Sequence, residues 1–110
     1  MIVDDEPDIR LALRVALSAC GYEVLAADSA DTALEQLSVA LPDFVLLDVH
    51  MPGQNGLDTC RSIRARCPAR IIMMAANSSA EETAEGVRAG VDDWLRKPFS
   101  IQELLSRLRG

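Results

Sequence analysis

Two adjacent carboxylates, Asp4 and Asp5, close a short apolar run. A third, Asp48, closes a second run, and Lys97 stands before Pro98 after another. Each falls where a strand would give way to a loop. In an open parallel sheet the carboxyl ends of the strands line one crevice, and ligands bind there. Three carboxylates brought together repel one another by roughly 1 to 4 kcal/mol per pair at 4 Å, depending on the local dielectric. Such a cluster needs a cation among its members. A hard divalent ion with oxygen ligands fits, Mg²⁺ foremost.

The elements that would carry these residues alternate at an even pace. Ile2 and Val3 form the stub of a first strand. Pro7 suits the first turn of a helix whose apolar stripe is Ile9, Leu13, Ala16, Leu17 and Cys20, ended by Gly21. Tyr22 to Ala26 reads as a second strand. Ser29 caps a second helix with Ala33, Leu34, Leu37 and Leu41 inward, stopped by Pro42. Phe44-Val45-Leu46-Leu47 and Ile71-Ile72-Met73-Met74 are continuous apolar runs, the mark of central parallel strands covered on both faces. Between them Leu57, Cys60, Ile63 and Cys67 mark a third helix. Ser79 with Glu82 makes a capping box for a fourth, whose thin apolar face, Ala84 and Val87, predicts the least firmly held helix. Asp92 to Leu95 is a short fifth strand. Ser100 with Glu103 opens a last helix, with Ile101, Leu104, Leu105 and Leu108 as its stripe. Alternation of this kind predicts an α/β fold with helices on both faces of a parallel sheet.

Composition agrees with one globular domain of 110 residues. The formal net charge of −6 argues against direct nucleic-acid binding by this segment. The three cysteines, Cys20, Cys60 and Cys67, lack metal spacing and fall on apolar helix faces, so they read as small core residues in a reducing cytoplasm. No run approaches the length of a membrane span, and no signal-peptide pattern is visible.

The chain resembles the receiver domain of bacterial two-component response regulators. The likeness rests on Val3-Asp4-Asp5-Glu6-Pro7 and on Asp43-Phe44-Val45-Leu46-Leu47-Asp48-Val49-His50-Met51-Pro52-Gly53. It continues through Asn55-Gly56-Leu57, Ala89-Gly90-Val91-Asp92-Asp93-Trp94-Leu95 and Lys97-Pro98-Phe99-Ser100. An ordered set of this kind, each member at a strand end, is far more specific than any one of its pieces. The resemblance implies a doubly wound, flavodoxin-like (CheY-like) five-stranded sheet of order 2-1-3-4-5, with residues 1–110 as a single receiver domain trimmed from a longer regulator. It also implies the roles. Asp48 would accept a phosphoryl group from the phosphohistidine of a sensor histidine kinase or phosphotransfer protein, chemistry in which positioning and charge neutralisation do most of the work. Asp5 would bind Mg²⁺ directly and Asp4 directly or through water, with Asp48 and the backbone carbonyl of His50 completing the protein ligands. An acidic pair here also suits the start of the first helix. Lys97 would contact the phosphoryl oxygens, aimed by a cis Lys97–Pro98 bond. The His50 side chain would screen the acyl phosphate from water. The output face would be the fourth helix, fifth strand and fifth helix, meeting an effector or a second copy. Asp93 and Arg107 there would be inter-subunit partners or solvated surface charges.

The sequence departs from the family at one place. Receivers carry Ser or Thr at the end of the fourth strand, where this chain has Ala75, followed by Ala76; the aromatic switch position on the fifth strand is held by Trp94 rather than Tyr or Phe. Ala75 offers no hydroxyl, and Asn77, Ser78 and Ser79 are the nearby donors. Loss of a hydrogen bond to a charged group, roughly 1.5 to 3 kcal/mol, would weaken or rewire the readout without abolishing phosphorylation. The alternative is a degenerate receiver that acts as a phosphate-independent interaction module. A haloacid-dehalogenase-type phosphatase fits worse, because it wants a second acid where His50 stands and room for a cap. A nucleotide- or flavin-binding protein would need a phosphate-cradling glycine loop, and none occurs.

Overall fold

The computed structural model describes residues 1–76 and 79–109. The strands are β1 (Ile2–Val3), β2 (Ala26–Ala27), β3 (Phe44–Asp48), β4 (His50–Met51), β5 (Gln54–Asn55), β6 (Arg70–Ala75) and β7 (Asp93–Arg96). The helices are α1 (Pro7–Ala19), α2 (Ala30–Leu37), α3 (Gly56–Arg64), α4 (Ala80–Ala89) and α5 (Ile101–Arg109). Five strands make one parallel sheet of order β2-β1-β3-β6-β7. Counting only the strands of this sheet, that is the 2-1-3-4-5 order the resemblance implies.

The two long apolar runs split as a pleat requires. Val45, Leu47, Ile71, Met73 and Ala75 point to one face, where they meet Ala33 and Leu37 of α2, Leu57, Cys60 and Ile63 of α3, and Ala89 of α4. Leu46, Ile72 and Met74 point to the other face, against Leu13 and Leu17 of α1 and Leu104 and Leu108 of α5. Both faces are therefore covered, and the strands have no polar side to show. Capping follows the sequence: Ser29 Oγ accepts from Thr32 N, Ser79 Oγ from Glu82 N, and Ser100 Oγ from Glu103 N.

Several local expectations are corrected. The second strand is only Ala26–Ala27 and not Tyr22 to Ala26, because its pairing follows the two residues of β1. α2 ends at Leu37, so Leu41 lies 61% exposed beyond it. Cys20 is exposed at the end of α1. α4 turns Gly86 and Ala89 inward, leaving Ala84 and Val87 exposed. On this helix the small residues make the close approach, and the larger Val87 is 65% exposed. Ile101 stands at the rim of α5, and the fifth strand runs one residue later than expected, Asp93–Arg96. A short antiparallel hairpin, β4–β5, occupies what reads in sequence as an irregular loop after Asp48.

Candidate functional site

The strand ends bring the charged residues together. Asp4 follows β1, Asp48 ends β3, Ala75 ends β6 and Lys97 follows β7. β1 and β3 are adjacent, so Asp4 and Asp48 become neighbours across the switch point of the sheet. Lys97 N–H donates to the Ala75 carbonyl at 2.8 Å, and the Lys97–Pro98 bond is cis. The Lys97 ammonium lies 3.0 Å from Asp4 Oδ2 and 3.1 Å from Asp48 Oδ2. Burial would lower the Lys97 pKa, but the hydrogen bonds and charges of Asp4 and Asp48 outweigh it and hold the ammonium above its ordinary value.

The other oxygen of each carboxylate also has a partner. His50 N–H donates to Asp48 Oδ1 at 3.0 Å, and Glu6 N–H donates to Asp4 Oδ1 at 2.9 Å. The second bond explains the start of α1: its N-cap residue, Glu6, has no side-chain cap of its own, and Asp4 orients the turn before it. Arg10 donates to the Asp4 carbonyl at 2.8 Å, tying the helix to the same loop. Asp4 is fully buried and Asp48 is 5% exposed. Charges at that depth persist only when paired, and the pairing here is shared by one ammonium.

The loop after Asp48 is clamped. Val49 N–H donates to the Met74 carbonyl, and Gly56 N–H to the Val49 carbonyl. A Cβ on Gly56 would stand 2.5 Å from that carbonyl oxygen, so only glycine lets α3 begin this close to the strand end. Gln54 Oε1 accepts from Ala30 N–H at 2.6 Å, joining the hairpin to the first turn of α2.

Among the described residues, the carboxylates whose oxygens lie within 4.8 Å of one another are Asp4, Glu6 and Asp48. Glu6 was not singled out from the sequence; its only signal is its place in the acidic run Asp4-Asp5-Glu6. Asp5 is partly exposed and stands outside this group. The donor set is all oxygen and carries three formal negative charges against the single positive charge of Lys97, which suits a hard divalent cation. Ala75 is buried at the rim of the site and presents only a methyl group. Of the donors proposed to replace its hydroxyl, Asn77 and Ser78 lie outside the described residues, while Ser79 is engaged as the α4 cap. Trp94 is half-buried against α4 and the α2–α3 core. Asp93 is paired within its own chain, with Arg70 at 3.2 Å and Arg107 at 3.0 Å.

Comparison with known proteins agrees with this arrangement. Residues 1–109 match the response regulator receiver domain family. The chain is 36% identical over 109 residues to the transcriptional regulatory protein KdpE of Mycobacterium tuberculosis, covering 99% of this chain and 48% of that protein. It thus spans about half the length of the curated relatives it matches. Its fold superposes on the Vibrio cholerae chemotaxis protein CheY4 with a TM-score of 0.93 at 32% identity, covering 98% of this chain and 92% of the other. It superposes on a Burkholderia pseudomallei response regulator, solved with a phosphorylated aspartic acid, a calcium ion and citrate, with a TM-score of 0.90 at 26% identity, over 96% of this chain and 62% of that one. With strand order, acidic crevice and family match in agreement, the chain belongs to the receiver domains of two-component response regulators.

Proposed function

We propose that this receiver domain accepts a phosphoryl group on Asp48, in a Mg²⁺-dependent transfer from a phosphohistidine on a sensor histidine kinase or phosphotransfer protein. The observation that carries the reading is the pairing of a buried strand-end Asp48 with Lys97 at 3.1 Å, beside a second buried carboxylate. In the transfer an Asp48 carboxylate oxygen attacks phosphorus, the O–P bond forms as the P–N bond breaks, and the imidazole nitrogen leaves with the electron pair. The backbone N–H of His50 fixes the orientation of the attacking carboxylate. Lys97 shifts from the carboxylates to the phosphoryl oxygens, a movement that its flexible stem permits. Asp4, Asp5, Asp48 and the His50 carbonyl are the residues proposed to hold Mg²⁺, with Glu6 in reach of the same crevice. When bound, the ion neutralises charge on the carboxylates and the transferring phosphoryl oxygens. The His50 side chain is exposed at the lip of the site and would slow hydrolysis by shielding the acyl phosphate.

The readout proposed is a change on the face formed by α4, β7 and α5, passed to an effector domain, a separate effector or a second copy of the chain. Ala75 leaves a phosphoryl oxygen without its usual hydroxyl donor, so coupling to Trp94 is weakened. Nothing in the geometry favours the phosphate-independent alternative, because Asp4, Asp48 and Lys97 are all assembled.

Intact mass spectrometry after incubation with acetyl phosphate and Mg²⁺ tests the chemistry. One phosphoryl adduct is expected, absent from Asp48→Asn and absent without Mg²⁺. No adduct on the parent chain or on Ala75→Thr, with Mg²⁺ binding established separately, would overturn the proposal. The readout is tested by Ala75→Thr, which should enlarge the phosphorylation-dependent change in Trp94 fluorescence.

A further inference from the structure

The Trp94 ring lies so close to α4 that a Cβ built on Gly86 would overlap its six-membered edge at Cζ2 and crowd Cη2 and Cε2 at 3.2 and 3.3 Å. Gly86 lies inside α4, in a stretch with no turn to make, and its φ is not in the left-handed region. In such a place glycine weakens a helix relative to alanine, so its presence calls for another reason. The close approach of the indole supplies one. No hydrogen bond holds the ring there: among the described residues the indole Nε1 is buried without a partner. Shape holds it.

We propose that Gly86 is the positioning residue for Trp94, its missing Cβ opening a seat on α4 into which the indole edge inserts. The helix side of the seat is tied by hydrogen bonds. The Gly86 carbonyl accepts from Val91 N–H at 2.9 Å. Gly90, in the left-handed conformation, closes the helix, and Arg64 holds the Gly90 carbonyl at 2.8 Å. A methyl group at position 86 therefore displaces the ring and not the helix. The aromatic on β7 is thus set from the α4 side. Its bearing on signal readout rests on the phosphoacceptor reading above, but the seat is a property of the unmodified protein, so the two fail separately.

The test uses unphosphorylated protein without Mg²⁺. Trp94 is the only tryptophan, so its emission reports on the seat alone. Gly86→Ala should move the emission to longer wavelength and increase its quenching by acrylamide, with the far-ultraviolet circular dichroism unchanged. The same substitution made on Trp94→Phe, whose ring lacks the overlapping edge, should raise Tm by about 4 °C, the ordinary gain of alanine over glycine in a helix of a domain this size. On the Trp94 background that gain should be absent or reversed. Unchanged emission and quenching, or an equal Tm shift on both backgrounds, would overturn the proposal.

Discussion

Lys97→Met removes the one ammonium shared by two buried carboxylates and leaves the side-chain volume nearly intact. Asp4 and Asp48 then face each other with oxygens within 4.8 Å, a repulsion of about 3 kcal/mol at an effective dielectric near 20. That agrees with the ~3–5 kcal/mol typical of removing one partner from a buried pair. Urea unfolding with chelator present at pH 7 should therefore show Lys97→Met less stable than the parent by about 3 kcal/mol. Mg²⁺ should recover much of the loss at pH 7, since a ligand at a hundred times its Kd contributes about 2.7 kcal/mol. A loss below about 1 kcal/mol at pH 7, or one that Mg²⁺ does not reduce, would refute the electrostatic account of the site.

Arg64 donates to the carbonyls of Ala69 and Gly90 and to Asp92 Oδ2 at 2.6 Å, so Arg64→Met should cost about 2–3 kcal/mol in urea unfolding, far above an exposed ion pair. Gly56→Ala places a methyl group 2.5 Å from the Val49 carbonyl oxygen. It should lower stability by about 2 kcal/mol and slow adduct formation on Asp48 in a mass-spectrometric time course, because the strand end moves. Burial pushes the Cys60 thiol pKa up, chiefly by desolvation. Its contribution is complete below the unfolded thiol pKa near 8.5 and is lost as pH rises through the higher folded value, so unfolding free energy should fall between pH 8 and 10 more steeply in the parent than in Cys60→Ala.

Much of the fold was legible in the chain. The runs 44–47 and 71–74 read as doubly covered strands because burial on both faces demands apolar residues at every position, and the two cores divide them by parity. Capping serines at 29, 79 and 100 marked helix starts because an orphan N–H needs a nearby acceptor. The weak points were short or small. β2 had too few residues to show a period, and α4 packs through Gly86 and Ala89, so a search for its largest apolar residues finds the wrong face.

The sequence by itself determined the chemistry available: acids after the first and third strands of the sheet, a lysine after its last, and no hydroxyl at position 75. Those follow from residue type and strand-end position, and parallel topology brings strand ends together whatever the details. Only the tertiary structure decided which groups meet. The turn from β1 into α1 brings a Glu6 oxygen within 4.8 Å of the Asp4 and Asp48 carboxylates. The edge position of β7 gives Asp93 to two arginines of its own chain, and the closeness of α4 seats Trp94 on a glycine eight positions earlier. Each depends on angles and separations between elements, set by packing across the whole domain, and no local pattern of residues encodes them.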